Sequence, residues 1–451
     1  MATAAENYSE AKAPAWLIAL PLLAGSAIAA FVASNFSPHV LLHTALFAAG
    51  LALTSACSFR EDVSTLVWAF VCAYLLRVAA ILLIQYLAPG GLMFFDDRGY
   101  DEQARYLASQ WSFSNLASDN MGTSHTGYPV LLGTLYGLLG PSILSAKFLN
   151  AFFGALTVPV TYRLALELCG RRNAARTAAW LTAVFPYDAM WAGFLLKDTV
   201  LLFLFTTLVL CLVRLGKTRR FGFLLAGFGL SLVLQRFRFY SIAVLLLAGL
   251  TGVAVAVTRR FFRLRHARIA VAVLVLCVAI GGASLAAAHY GETVTALSVY
   301  ARGVETVDAA GQTLLWFTPE LGFVRDFLKA AFVYQLGPFP WIFSGVDIGG
   351  TMFYPGMYLI YALFPFFLLG FTDLARELDG CRAFALSAWL LHALVEIFLN
   401  QSGGRQRIMV DALFICCAAA GWSRRQGRSS FVAVNYALLL AFAAVHIAAR
   451  T

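Results

Sequence analysis

The sequence predicts an all-α fold, a polytopic transmembrane helix bundle of about 12–13 spans. Three observations carry this. Hydrophobic residues make up 61% of the 451 positions and charged ones only 12%, too little polar surface to clothe a soluble globule. Apolar runs of roughly 20 residues, long enough to cross the hydrocarbon, recur along the whole chain. The stretches between them are loops, so residues 1–451 read as a single transmembrane domain.

Taken in order, the apolar runs place helices near 14–33, 40–57, 63–87, 142–168, 176–196, 199–215, 221–235, 240–258, 269–288, 353–371, 383–399, 407–422 and 430–449. Glu6 and Glu10 against Lys12 give the wrong charge for a secretory n-region, so the first run is expected to stay as a helix. Segment 127–140 is apolar but short and glycine-rich, which suits a re-entrant or kinked helix better than a full span. No long-period repeat or low-complexity stretch interrupts the series.

The net charge of +10 raises the question of nucleic acid, but the bases sit in short clusters between spans, so no nucleic-acid partner is expected. Arg171, Arg172 and Arg176; Lys217, Arg219 and Arg220; Arg259, Arg260, Arg263, Arg265 and Arg268; and Arg424, Arg425 and Arg428 all fall on one side if the N-terminus is cytoplasmic. Cys57, Cys72, Cys169, Cys211, Cys277, Cys381, Cys416 and Cys417 lie in or beside spans without metal-ligand spacing, which argues against a disulfide scaffold or a zinc site.

The opposite side receives two long loops, 88–126 and 289–352, and short connectors at 197–198, 235–240 and 400–406. The first loop carries Asp96, Asp97, Asp101 and Glu102. From Tyr100 to Trp111 the text is amphipathic at helical spacing, with Tyr100, Ala104, Leu107, Ala108 and Trp111 on one face and Asp101, Glu102 and Arg105 on the other. Such a helix suits the membrane interface, and the Asp pair would sit at its start. Capping is the plain explanation of such aspartates. Phe94 and Phe95 shield the pair, however, and a shielded carboxylate there can act as general base for a hydroxyl.

The string DDRGYDEQAR, residues 96–105, resembles the acidic first-loop motif of GT-C glycosyltransferases, with Asp96, Tyr100 and Ala104 at the matching spacing. That group uses polyprenyl-phosphate sugars and includes aminoarabinose transferases of lipid A and protein O-mannosyltransferases. HTGYPVLLGTLYGLLG and the span after it are similar to the family's Tyr-Pro segment, and QSGGRQRIMVDALFICCAAAGW to its late Arg-containing span. Two spans precede the helix before the acidic loop where the family often has one, and loop 289–352 matches nothing familiar.

Cations share that outer side. Lys197 and Asp198 interrupt an apolar hairpin, where an intramembrane ion pair marks function and a snorkelling lysine is the alternative. Arg236 and Arg238 lie at the next outer turn, and Arg405 and Arg407 start a late helix beside Gly403 and Gly404. Headgroup contact explains each pair alone. Several pairs together run against the positive-inside pattern, and a lipid-linked phosphate gives them a purpose. His125 and Tyr128 are weaker positioning candidates, with Tyr100 and Asp198. His392 and Glu396 stand four apart and are expected to pair inside the bundle. The charges of loop 289–352, among them Arg302 and Arg325, read as solvated, and the aromatic stretch 336–345 as a rigid interfacial element.

The resemblance implies an inverting transfer of a sugar from a polyprenyl-phosphate donor to a glycan, lipid or protein hydroxyl, in the bacterial cytoplasmic (inner) membrane. Asp96 and Asp97 are the catalytic candidates; Lys197, Arg236, Arg238, Arg405 and Arg407 are the phosphate-binding ones. No cofactor is required and no metal ligands are assigned, although a divalent metal is compatible with the chemistry. A polysaccharide polymerase or ligase using lipid diphosphates is the alternative enzyme, and a lipid or polymer transporter the non-enzymatic one.

Overall fold

The computed structural model describes residues 38–57, 62–110, 126–238, 240–261, 331, 334–337, 352–398 and 404–448, and every regular element among them is helical. The helices are α1 (Pro38–Cys57), α2 (Val63–Leu87), α3 (Phe95–Ser109), α4 (Gly127–Leu139), α5 (Ile143–Cys169), α6 (Arg172–Val184), α7 (Pro186–Ala192), α8 (Asp198–Thr218), α9 (Phe221–Phe237), α10 (Tyr240–Phe261), α11 (Tyr354–Arg376), α12 (Gly380–Phe398), the one-turn α13 (Gly404–Arg407), α14 (Asp411–Ser423) and α15 (Ser429–Ala448). The expected helices 14–33 and 269–288, His125 and most of loop 289–352 lie outside the described residues.

Among the described residues, six helices are long and apolar enough to cross a membrane: α2, α5, α8, α10, α11 and α12. Helices keep every backbone hydrogen bond within one segment, which hydrocarbon demands. Each also divides its side chains between protein and lipid. On α2, Leu66, Phe70, Ala73, Ile81 and Ile84 are buried while Trp68, Leu75, Leu82 and Leu83 stay exposed. The protein is a multi-pass, all-α membrane bundle.

Helix α5 is the axis of the bundle, with α2, α6 and α8 packed around it. The crossing of α11 and α14 is close because both partners lack a side chain there. A Cβ on Gly370 would stand 1.8 Å from the Cys417 carbonyl oxygen, and one on Gly421 2.0 Å from that of Phe366.

Two expected spans take a different form. The run 176–196 is not one helix: it breaks at Phe185 and Pro186 into α6 and α7 and ends in non-helical backbone before Lys197. Pro186 supplies no N–H to α6 and holds Phe185 out of helical geometry, at φ −67° and ψ 104°. The run 407–422 enters through α13 and a 3-10 turn, Ile408–Val410, before α14 begins. Segment 127–140 forms a 13-residue helix against α3.

The charges gather at the two ends. At one, Arg176 pairs with Asp62 (2.6 Å), Lys217 and Arg214 with Glu167 (3.2 and 3.0 Å), Arg424 with Glu377 (2.7 Å) and Arg428 with Asp373 (2.6 Å). Arg382 ties these groups together, reaching both Glu377 and the Leu168 carbonyl. Three of the basic clusters thus share an end, and the acidic motif lies at the other.

Candidate functional site at the acidic end of the bundle

The turn after α2 sets the approach to α3. Gly90 and Gly91 adopt left-handed φ values of 68° and 76°, and the buried Lys147 ammonium of α5 donates to the Gly91 carbonyl. Helix α3 then starts on Phe94. Asp97, at the third helical position, turns back so that its Oδ2 accepts from the backbone N–H groups of Met93 (3.1 Å) and Phe94 (3.3 Å). Asp97 is fully enclosed, and its other oxygen has no hydrogen-bond partner. Burial pushes its carboxyl up to about 6, against the opposing pull of those two N–H groups, Lys147 and Arg405.

Asp96, one residue earlier, points the other way. Its side chain is 47% exposed and meets Arg405, whose Nη1 lies 2.6 Å from Asp96 Oδ2. The Arg405 Nε lies 2.9 Å from Asp198 Oδ2 at the start of α8. One guanidinium therefore joins the start of α3 to the start of α8, across 309 and 207 residues of sequence. It also sits over the Trp191 ring, 5.8 Å from the centroid. Burial alone would lower the Arg405 pKa, but Asp198 and Asp96 raise it above the ordinary arginine value.

Lys197 caps α8, almost fully buried beside this group. Its ammonium falls to about 8, chiefly through burial, with Arg238 and Arg405 adding to the effect and Asp198 and Asp96 opposing it. Asp198 pairs with Arg405 and not, as the adjacent letters suggest, with Lys197. The connector itself is held by Asn150 of α5, whose amide donates to the carbonyls of Phe194 (3.0 Å) and Leu196 (3.1 Å). The same Asn150 side chain meets the Tyr128 hydroxyl, and the Tyr128 ring stands edge-on to Tyr100 at 5.1 Å. Tyr100 lies within the field of Asp198, Arg405, Asp96 and Arg238, and burial raises its phenol above its ordinary value.

The arginine pairs split. Arg238 is buried, its Nη1 3.2 Å from Glu396 Oε1, and Glu396 also accepts from the Tyr240 hydroxyl and lies 3.3 Å from His392 Nε2. Arg236 stands exposed on the last turn of α9. Arg407 is turned into the bundle, away from Arg405: its Nε is 3.1 Å from Asp411 Oδ1 and its Nη1 donates to the Gln335 carbonyl at 2.7 Å.

Asp96, Tyr100, Lys197, Asp198, Arg238 and Arg405 thus come together, Asp97 and Tyr128 support them, and Arg407 turns away from them. Asp101 departs from its expected face: it is buried against α4, accepting from the Tyr136 hydroxyl at 2.7 Å and from Arg105 at 2.8 Å. The helix turns its Asp97, Asp101, Ala104 and Leu107 edge inward because α4 covers it at Gly133, where a Cβ would meet Leu107 at 2.8 Å. Lys147 and Asn150 were not anticipated; polar letters three apart in an apolar span were the available signal. Among the described residues, no three His, Cys, Asp or Glu side chains group to hold a metal ion. No family model matches the chain, and no curated protein matches it.

Proposed function

We propose that the protein is a membrane glycosyltransferase that moves a sugar from a polyprenyl-phosphate donor to an acceptor hydroxyl, with inversion, at the acidic end of the bundle. The supporting observation is the bridge that Arg405 makes between Asp96 and Asp198. It sets an exposed carboxylate beside fixed cations. In this reading Asp96 takes the proton of the acceptor hydroxyl, and the oxygen attacks the anomeric carbon from the face opposite the phosphate. The bond from that carbon to the phosphate oxygen breaks, and its electron pair leaves on the phosphate.

The leaving phosphate carries more negative charge than the donor had, so cations placed around it stabilise the transition state more than the ground state. Arg405 spends two of its five N–H groups on Asp96 and Asp198 and keeps others for phosphate oxygens. Lys197 adds a point charge beside it. Asp97 fixes the first turn of α3, and Asp198 fixes the guanidinium. The basic end of the bundle faces the cytoplasm in this reading, which puts transfer on the outer face of a bacterial cytoplasmic membrane with the N-terminus inside.

The test is sugar transfer from a defined polyprenyl-phosphate donor by purified Asp96→Asn and Asp97→Asn proteins. Asp96→Asn is expected to lose nearly all turnover. Full activity of Asp96→Asn would overturn the assignment, whatever Asp97→Asn does.

A further inference from the structure

A second group of charges lies deeper, in the interior of the bundle. Arg77 from α2, Asp188 from α7, Arg407 from α13 and Asp411 from α14 are each at most 2% exposed. Arg407 pairs with Asp411 at 3.1 Å, and its guanidinium lies over the Tyr187 ring at 5.1 Å. Asp188 lies in the field of Arg77, Asp411 and Arg407. The backbone makes room for the group: a Cβ on Gly154 would stand 2.4 Å from Arg77 Nε.

Two guanidiniums and two carboxyl groups are thus enclosed in the interior of the bundle. Enclosed charges of this kind are costly and persist where they fix one arrangement of the elements that bear them. Those elements are the ones that carry the site. Arg405 and Arg407 share the single turn of α13, one outward and one inward, and Asp188 and Trp191 share α7, with Arg405 resting on the Trp191 ring.

We propose that Arg407 and its partner Asp411 form the internal anchor of Arg405. Arg407 is a positioning residue: held by Asp411 and the Gln335 carbonyl, it sets the rotation of α13 that aims Arg405 at Asp96 and Asp198. This assigns Arg407 a role other than phosphate contact. The role in turnover rests on the transferase reading; the role in holding α13 does not.

The experiment uses the full chain in lipid nanodiscs. Removing one partner alone strands a buried charge and risks unfolding, so the informative variant is Arg407→Met combined with Asp411→Leu, which removes both charges at similar volume. Thermal unfolding is expected to match or exceed that of either single variant. Hydrogen–deuterium exchange is expected to rise in the peptide covering 404–407 and stay unchanged in α2 away from Arg77. In sugar transfer, the kcat of the double variant is expected to fall roughly 100-fold, as for a displaced catalytic group, with the donor KM changed little.

Unchanged exchange at 404–407 would overturn the anchor whatever the activity. A donor KM that rises while kcat holds would overturn it too, and return Arg407 to direct phosphate binding. Should the native protein transfer no sugar, the exchange result still decides whether Arg407 holds the turn.

Discussion

Asp96 and Asp97 are neighbours in sequence and opposites in environment: Asp96 stands half-exposed against Arg405, while Asp97 is sealed beneath the start of α3 with its Oδ2 on two backbone N–H groups. Successive residues on a helix differ by roughly 100° in direction. That rotation separates a carboxylate open to the surroundings from one that supports the turn.

Arg405→Lys keeps the charge and loses the planar fork that spans Asp96 and Asp198. Sugar transfer should fall roughly 100-fold in kcat/KM while the protein folds normally. Native kinetics in the lysine variant would mean that charge alone suffices.

For Asp97 the pH sign is set by a carboxyl raised from 3.8 to about 6 by burial. Between those values the folded state binds more protons than the unfolded one, so stability falls as pH rises through the window. Asp97→Asn keeps an acceptor for Met93 and Phe94 and removes the titration. Its Tm should exceed that of the native protein at about pH 8, by an amount reflecting about 3 kcal/mol, and the difference should shrink at about pH 4. Equal pH profiles for the two proteins would contradict it.

Lys197 loses charge as pH rises through about 8. If it holds phosphate, the donor KM should climb between about pH 7 and about pH 9, and Lys197→Arg should flatten that limb. A native KM that is constant over this range removes Lys197 from the phosphate contacts.

Asn150→Leu strips the connector of its two amide hydrogen bonds and leaves the Phe194 and Leu196 carbonyls without that donor. A loss of roughly 1–3 kcal/mol per stranded group is expected in thermal unfolding, with weaker donor binding as Lys197 shifts.

Gly421→Ala places a methyl where the Phe366 carbonyl already stands, so α11 and α14 must part. Destabilisation on the order of 3 kcal/mol is expected. Gly222→Ala is the control, since a Cβ there meets nothing within 4 Å, and should leave the Tm unchanged or slightly higher.

The all-α bundle was legible because hydrocarbon-length apolar runs have few alternatives, and Lys197 and Asp198 because they interrupt such a run. The break at Pro186 was also written in the text, although the apolar run around it hides it. What the letters do not carry is facing. Arg405 and Arg407 are alternate residues of one turn, and Asp411, the Gln335 carbonyl and the Tyr187 ring hold the second inward. Asp101 read as part of the polar face of its helix, but Tyr136, 35 residues on, is its partner inside the bundle. Arg77, Lys147, Asn150 and Asp188 are single polar letters in apolar stretches; they announce partners without saying which.

The 13 residues of α4 measure about 20 Å end to end, some two-thirds of a typical hydrocarbon thickness. It is therefore too short to cross the hydrocarbon by itself, and its exposed Leu138 marks the end that α3 does not cover.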